Sequence, residues 1–178
     1  KRTIYRCLTQ ESATHSSQKD KLLNCKIMNE TIIHFLEQQN CASVCCMDEE
    51  GRPYCFSCFY AFNSQEGLIY FKSSSNSHHT QLMKKNPFVA GTVLPDKLNK
   101  LTIKGIQFEA IVLDTQQPQV KKRLNNYYKK HPAALAMFGD IWMLQIEYIK
   151  MTDSTLGFGK KIIWNRAEKL DKATVFIE

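Results

Sequence analysis

A chain of 178 residues, 43% hydrophobic and 23% charged, has the size and make-up of one ordinary globular domain with a true core. The net charge of +7 is not a nucleic-acid signature, because +4 of it lies in residues 1–27 and the remaining body is close to neutral, with no aromatic-interleaved basic face. No apolar run is long enough to span a bilayer, no apolar leader follows the basic N-terminus, and the seven cysteines have no regular loop spacing, so the expectation is a cytoplasmic, reduced protein with neither a nucleic-acid nor a membrane partner.

Residues 1–27 show neither a period of two nor one of 3.6 and read as an N-terminal tail. Met28 is expected to be the natural initiator, with the preceding residues an upstream extension. Asn29 is a helix cap, and the helix runs to about Gln39 with Ile32, Ile33, Phe35 and Leu36 on its buried side. Cys41 to Met47 reads as a strand. The acidic turn Asp48-Glu49-Glu50-Gly51-Arg52-Pro53 then leads into the aromatic-rich strand Tyr54 to Phe62, a hairpin pattern. A second turn, Asn63 to Gly67, precedes a third strand, Leu68 to Phe71.

The stretch Ile69 to Pro87 carries the most chemistry. The strand breaks into the polar turn Lys72-Ser73-Ser74-Ser75-Asn76, and a helix follows from His78 to Lys85, with Ser77 or Asn76 as its cap. Asn86-Pro87 stops it. A helix start offers free backbone N–H groups and the positive end of its dipole to an anion. Ser73, Ser74 and Ser77 add hydroxyl donors, and Lys72, His78 and His79 add cationic ones. The same residues also read as a solvated turn ahead of a capped helix.

Phe88 to Leu94 is a fourth strand, in which Gly91 allows close approach of another backbone or a ligand. After a Lys-rich connection, Ile106, Phe108, Ala110 and Val112 share one face of a fifth strand. Pro118 begins a helix over Gln119 to Lys130, and a short helix follows over Ala133 to Phe138. Ile141 to Met151 is a long strand whose core face is expected to be Trp142, Leu144, Ile146, Tyr148 and Lys150. A Gly-rich basic loop and a short strand bring the domain to Arg166, and residues 167–178 read as a C-terminal tail. The sum is a mainly β, α+β domain over residues 28–166. It is a closed or nearly closed antiparallel barrel of about six strands with peripheral helices.

Cys45, Cys46, Cys55 and Cys58 could be taken for a zinc set. Neighbours one and three apart on a strand point to opposite faces, so they read as buried structural thiols, and no metal is expected. His78 and His79 diverge on a helix for the same reason. Tyr60 is the candidate proton donor.

Gly105-Ile106-Gln107-Phe108-Glu109 and the run Thr152-Asp153-Ser154-Thr155-Leu156-Gly157-Phe158-Gly159-Lys160-Lys161-Ile162-Ile163-Trp164, with this order of strands, turn and helix, resemble the pyridoxamine-5′-phosphate-oxidase-like FMN-binding split-barrel family. The closer likeness is to a bacterial branch of it. The resemblance implies a six-stranded split barrel that binds FMN as a homodimer, with the cofactor at the subunit interface. It sets Ser73 and Ser74 in the place of the family's Thr-Asn, Ser77 in that of its Ser, and His78 and His79 in those of its Arg and Lys, with Asn86-Pro87 matching outright. It implies backbone contacts to the flavin edge from Ser57 and Cys58. It sets Lys160 and Lys161 where oxidase members bind the substrate phosphate, although the oxidases' Arg-x-His-Asp pattern is absent. Two functions follow. One is a flavin-dependent oxidoreductase acting on a small molecule. The other is a non-catalytic split-barrel protein that holds FMN or haem for storage or sensing.

Overall fold

The structure is a computed structural model that describes residues 27–99, 101–113, 127–156 and 160–166. Helix α1 (Glu30–Gln38) is capped as its sequence predicts, the Asn29 side-chain oxygen accepting from the Thr31 N–H at 2.8 Å. Strands β1 (Cys41–Met47), β2 (Pro53–Asn63) and β3 (Leu68–Ser73) form an antiparallel meander. Helix α2 (His78–Lys85) follows, then β4 (Phe88–Val93), β5 (Lys104–Leu113), β6 (Asp140–Asp153) and β7 (Lys161–Asn165).

All pairings are antiparallel. The order β3-β2-β1-β4-β5-β6 closes on itself through β3–β6, giving a six-stranded barrel without a free edge, and β7 extends β6 outside the ring. The expected fold class is therefore observed. Within the barrel, alternate residues of β1 (Ala42, Val44, Cys46) and of β5 (Ile106, Phe108, Ala110) face one core with Ile69, Phe71 and Leu144. Helix α1 buries Ile32, Phe35 and Leu36 in it near Tyr60, and α2 buries Leu82 and Met83. A second, smaller cluster of Leu68, Tyr70, Ile141, Met143, Tyr127 and Ala134 covers the outer face of β3 and β6.

The reading of β6 as one uninterrupted alternation is corrected. Trp142, Leu144 and Ile146 face the core, but beyond them Ile149 and Met151 do so, not Tyr148 and Lys150. The cause is a register shift: Glu109 pairs with Tyr148 and Ala110 with Ile146, leaving Glu147 without a rung on β5. One extra residue exchanges the two faces of the strand. The expected helix over Gln119 to Lys130 lies outside the described residues except for 127–130, which is helical. The expected helix over Ala133 to Phe138 is a 3-10 turn, Pro132–Ala136. Gly91 does serve close approach: a Cβ there would lie 2.4 Å from the Phe108 ring and 2.6 Å from the Ser43 carbonyl oxygen. No helix among the described residues is long and apolar enough to cross a membrane.

β6 gives one edge to two partners. Its first half pairs with β3 up to Gln145, and its second half pairs with β7 from Tyr148. Arg166 fills the split between them. Its Nε donates to the Ile146 carbonyl at 2.6 Å, and its Nη2 to the Glu66 and Gly67 carbonyls at 3.0 and 2.9 Å. Gly67 makes room for it, since a Cβ at that position would sit 2.6 Å from Arg166 Nη2. Replacing Arg166 with Ala removes this donor from the Ile146 and Glu66 carbonyls, leaves the Gly67 carbonyl with the Ile146 N–H alone and breaks the ion pair with Glu147, so Arg166→Ala is expected to lower the stability by about 2–4 kcal/mol. Arg166→Lys, which keeps the charge without the planar fork, should recover less than half of the loss. Urea unfolding midpoints of the three proteins check this.

Candidate functional site

The β3–α2 turn gathers a cluster of hydroxyls around one imidazole. Ser73, the last residue of β3, has its Oγ 3.2 Å from Ser77 Oγ and 2.8 Å from His79 Nε2. Ser77 Oγ lies 3.1 Å from the same nitrogen and 2.9 Å from Thr80 Oγ1. The Ser74 carbonyl accepts from the Ser77 N–H, the Ser77 hydroxyl and the Thr80 hydroxyl, closing the turn against the helix. Ser74 thus contributes its carbonyl to the cluster, while its hydroxyl accepts from the Asn76 N–H.

Ser77 is the N-cap of α2, yet its side chain makes no capping bond. Its hydroxyl faces Ser74 and Thr80 instead. The first-turn N–H groups of His78, His79 and Thr80 therefore point to the N-terminal end of the helix without a protein acceptor among the described residues, the arrangement in which an outside anion completes the cap. His79 is wedged between this end and the barrel, its ring stacked on Phe56 at 3.9 Å and 14°. Burial, and then the neighbouring His78, hold its pKa below the ordinary histidine value of 6.5. His78 is exposed and meets the Tyr54 ring edge-on at 4.8 Å.

Lys72 does not join the cluster. Ser73 and Lys72 alternate on β3, so Lys72 reaches the other face, donating to the Ala134 carbonyl at 2.7 Å and lying 5.4 Å from the centre of the Tyr128 ring. The fixed cation that reaches the turn is Lys84, which the sequence reading passed over. Its Nζ donates to the Ser75 carbonyl at 3.4 Å, beside the Gln81 amide at 2.5 Å on the same oxygen. Gly139 was also missed, having been read only as a helix stop. Its φ of +127° and a prospective Cβ 2.9 Å from the Ser73 carbonyl carbon and oxygen make it the residue that lets β6 begin against the turn.

Ser57 and Cys58 separate onto opposite faces of β2. Ser57 is exposed on the outer face and shares a 3.2 Å contact with Ser43, whereas Cys58 packs against the core and burial pushes its thiol up to about 12. Lys160 and Lys161 are exposed at the start of β7. Gly157, Phe158 and Gly159 lie outside the described residues. Tyr60, the guessed proton donor, donates instead to the Leu36 carbonyl at 2.7 Å in the core, and burial drives its pKa upward. Among the described residues no three His, Cys, Asp or Glu side chains group as metal ligands.

No family model matches the chain. A UPF0306 protein of Photorhabdus laumondii subsp. laumondii is 37% identical over 139 residues, which is 78% of this chain and 96% of the relative. A heme binding protein of Mycobacterium smegmatis superposes with a TM-score of 0.63 at 12% identity, covering 86% of this chain and 60% of that one. A pyridoxamine 5′-phosphate oxidase-related, FMN binding protein of Nostoc punctiforme does so with a TM-score of 0.60 at 10% identity, covering 79% and 91%. At such identities the two structures speak for the split-barrel fold alone.

The depressed pKa of His79 makes a stability prediction. The unfolded chain takes up a proton near pH 6.5, while the folded chain resists it. The contribution is fully present above that pH and is lost as pH falls through the lower folded value. His79→Gln should remove this acid-side loss, so its stability curve should be flatter than the wild type's below about pH 6.5. Chemical denaturation between pH 8 and 5 compares the slopes, and parallel curves would show that the fold does not hold His79 neutral.

Proposed function

From a chain that belongs to the UPF0306 family and closes as a split barrel, we propose a flavoprotein that binds FMN through its phosphate at the β3–α2 turn, as a homodimer, and acts as an oxidoreductase on a small molecule. The observation that carries this reading is the start of α2, where three N–H groups lack an acceptor among the described residues while Ser73, Ser77 and His79 crowd the same end. The donors suit a phosphate: hydroxyls, N–H groups and an imidazole within one turn, with Lys84 as fixed charge at its back. Ser73, Ser77, His79 and the α2 backbone would hold the phosphate, and the flavin would supply two-electron chemistry when bound. The chain's own part is to bind and orient. His79, neutral in the free protein, takes up a proton as the dianion approaches. Leu135, Met137 and Phe138 are exposed on the segment leading to Gly139, apolar surface beside the turn for a ring or a second copy.

A second reading keeps the scaffold and changes the ligand. The likeness to a heme binding protein favours a binder of haem without turnover.

The test is an absorption and fluorescence titration of the purified protein with FMN, riboflavin and haem. FMN should bind more tightly than riboflavin, which lacks the phosphate. Ser73→Ala or Lys84→Ala should each weaken FMN by about tenfold and leave riboflavin nearly unchanged. The preference for FMN should grow as pH falls from 7.5 to 6.5, because the bound dianion raises the pKa of His79, and His79→Gln should abolish that trend. Equal binding of FMN and riboflavin would overturn the phosphate site. A Soret band with no flavin binding would give the protein to the haem reading. Turnover of a reduced nicotinamide donor separates an oxidoreductase from a carrier, and light scattering reads the dimer.

A further inference from the structure

The rungs of the β1–β2 hairpin alternate in kind, and two bonds just outside the ladder fix the phase. At one end the Tyr60 N–H donates to the directly opposite Asn40 carbonyl at 2.9 Å, and at the other the Asp48 N–H donates to the directly opposite Arg52 carbonyl at 3.1 Å. Between them the register is unbroken. The rungs of Ala42, Val44 and Cys46 are therefore the hydrogen-bonded ones, and those of Ser43 and Cys45 are not. Cys45 lies directly opposite Cys55 in such a non-hydrogen-bonded rung. There the α-carbons come within about 4.5 Å and the side chains stand closest. That separation falls inside the range of about 4.4–6.8 Å that a disulfide spans. The neighbouring rung of the same kind shows the closeness directly, since Ser43 Oγ and Ser57 Oγ are 3.2 Å apart.

Both sulfurs are on the outer face of the barrel, lining a cleft of about 380 Å³ with Ala90, Gly91, Thr92 and Gln107. The reading of all four as buried structural thiols is corrected here, because the outward rung leaves Cys55 exposed and Cys45 half-buried. The facing Cys55 side chain, then burial, pushes the Cys45 thiol up to about 11. The other described thiols are placed differently. Cys46 and Cys58 belong to the core, and Cys41 stands opposite Phe59.

We propose that Cys45 and Cys55 form a reversible dithiol site on the outer face of the barrel, whose oxidant is a low-molecular-weight disulfide of the glutathione type. The Cys55 thiolate, the accessible member, attacks one sulfur of the small disulfide, forming a mixed disulfide and expelling one thiolate. Cys45 then attacks Cys55 Sγ, forming the cross-strand bond and expelling the second. The two cysteines are oxidised by two electrons, the small disulfide is reduced to two thiols, and the two thiol protons go to these products. No flavin is required for this chemistry.

The experiment incubates the full chain in glutathione redox buffers, quenches with acid and reads intact mass and free thiols, with circular dichroism to confirm the fold. Wild type and Cys41→Ser should each lose the mass of two hydrogens reversibly, and Cys45→Ser and Cys55→Ser should not. The serine variants extend the adjoining Ser43–Ser57 chemistry by one rung, and peptide mapping of the oxidised wild type should place the bond between Cys45 and Cys55, not at Cys7 or Cys25. A folded wild type that keeps all its thiols in the most oxidised buffer would overturn the proposal. So would a product that stops at the mixed disulfide, that links two chains, or that still forms when Cys45 or Cys55 is replaced.

Discussion

β6 must serve two partners on one edge, and the barrel's geometry follows from how it does so. A strand that pairs with β3 along one half and β7 along the other leaves a notch where the two partners part. Within the notch the Ile146 N–H reaches the Gly67 carbonyl and the Arg166 N–H the Glu147 carbonyl, and a guanidinium can reach several further carbonyl lone pairs at once from one planar fork. Arg166 does this for Ile146, Glu66 and Gly67. Glu147, which has no rung on β5, lies in the same stretch. The bulge turns the strand over there, so the half that closes the barrel and the half that carries β7 present opposite residue sets to the core. Closure, the split and the exchange of faces share one stretch of three residues.

That closure also makes the site. Pairing with the start of β6 sets Ser73 opposite Asp140, beside Gly139, and the indole of Trp142 donates to the Ser73 carbonyl at 3.4 Å. The last residue of β3 is thus held from behind before the chain turns into α2. The turn is held from the other side by Gln81 and Lys84 on the Ser75 carbonyl. A hydroxyl cradle on a free loop would lose much of its binding energy in being ordered. Here the ordering is done by the fold. In the proposed phosphate site, histidines where the resemblance implies permanent cations would change the character of the site, not only its strength. His79 stacks on Phe56 with its pKa held down by burial, so its charge would respond to pH, while hydroxyls and helix N–H groups would supply direction.

Most of the strands were legible because their alternation is local. β1 and β5 show it in their own residues, and the turns carry Gly, Pro, Asn and Asp where needed. The Ser73–His79 cluster was legible in part, through the hydroxyl-rich turn before a helix. Lys72 misled because a charge next to a serine in sequence is on the other face of a strand, and the end of β3 extends two residues beyond the aromatic run. Lys84 was hidden by distance along the helix, and Gly139 by a role set between segments far apart in the chain. The bulge at Glu147 has no signature in β6 itself. It exists only in the comparison with β5.

The cysteines make the same point about scale. Considered along one strand, Cys45 and Cys46 diverge, as do Cys55 and Cys58, and the period of two rules out a shared ligand. Considered across the hairpin, that same period sorts them. The acidic turn fixes which residue stands opposite which, and the register then puts Cys45 and Cys55 on one face and Cys46 and Cys58 on the other. The inward pair is shielded by the core from a small disulfide. The outward pair meets in the kind of rung where side chains touch. A chain can therefore carry several thiols in one hairpin with only one reactive couple among them, and the selection is made by strand register, not by the acidity of any single sulfur.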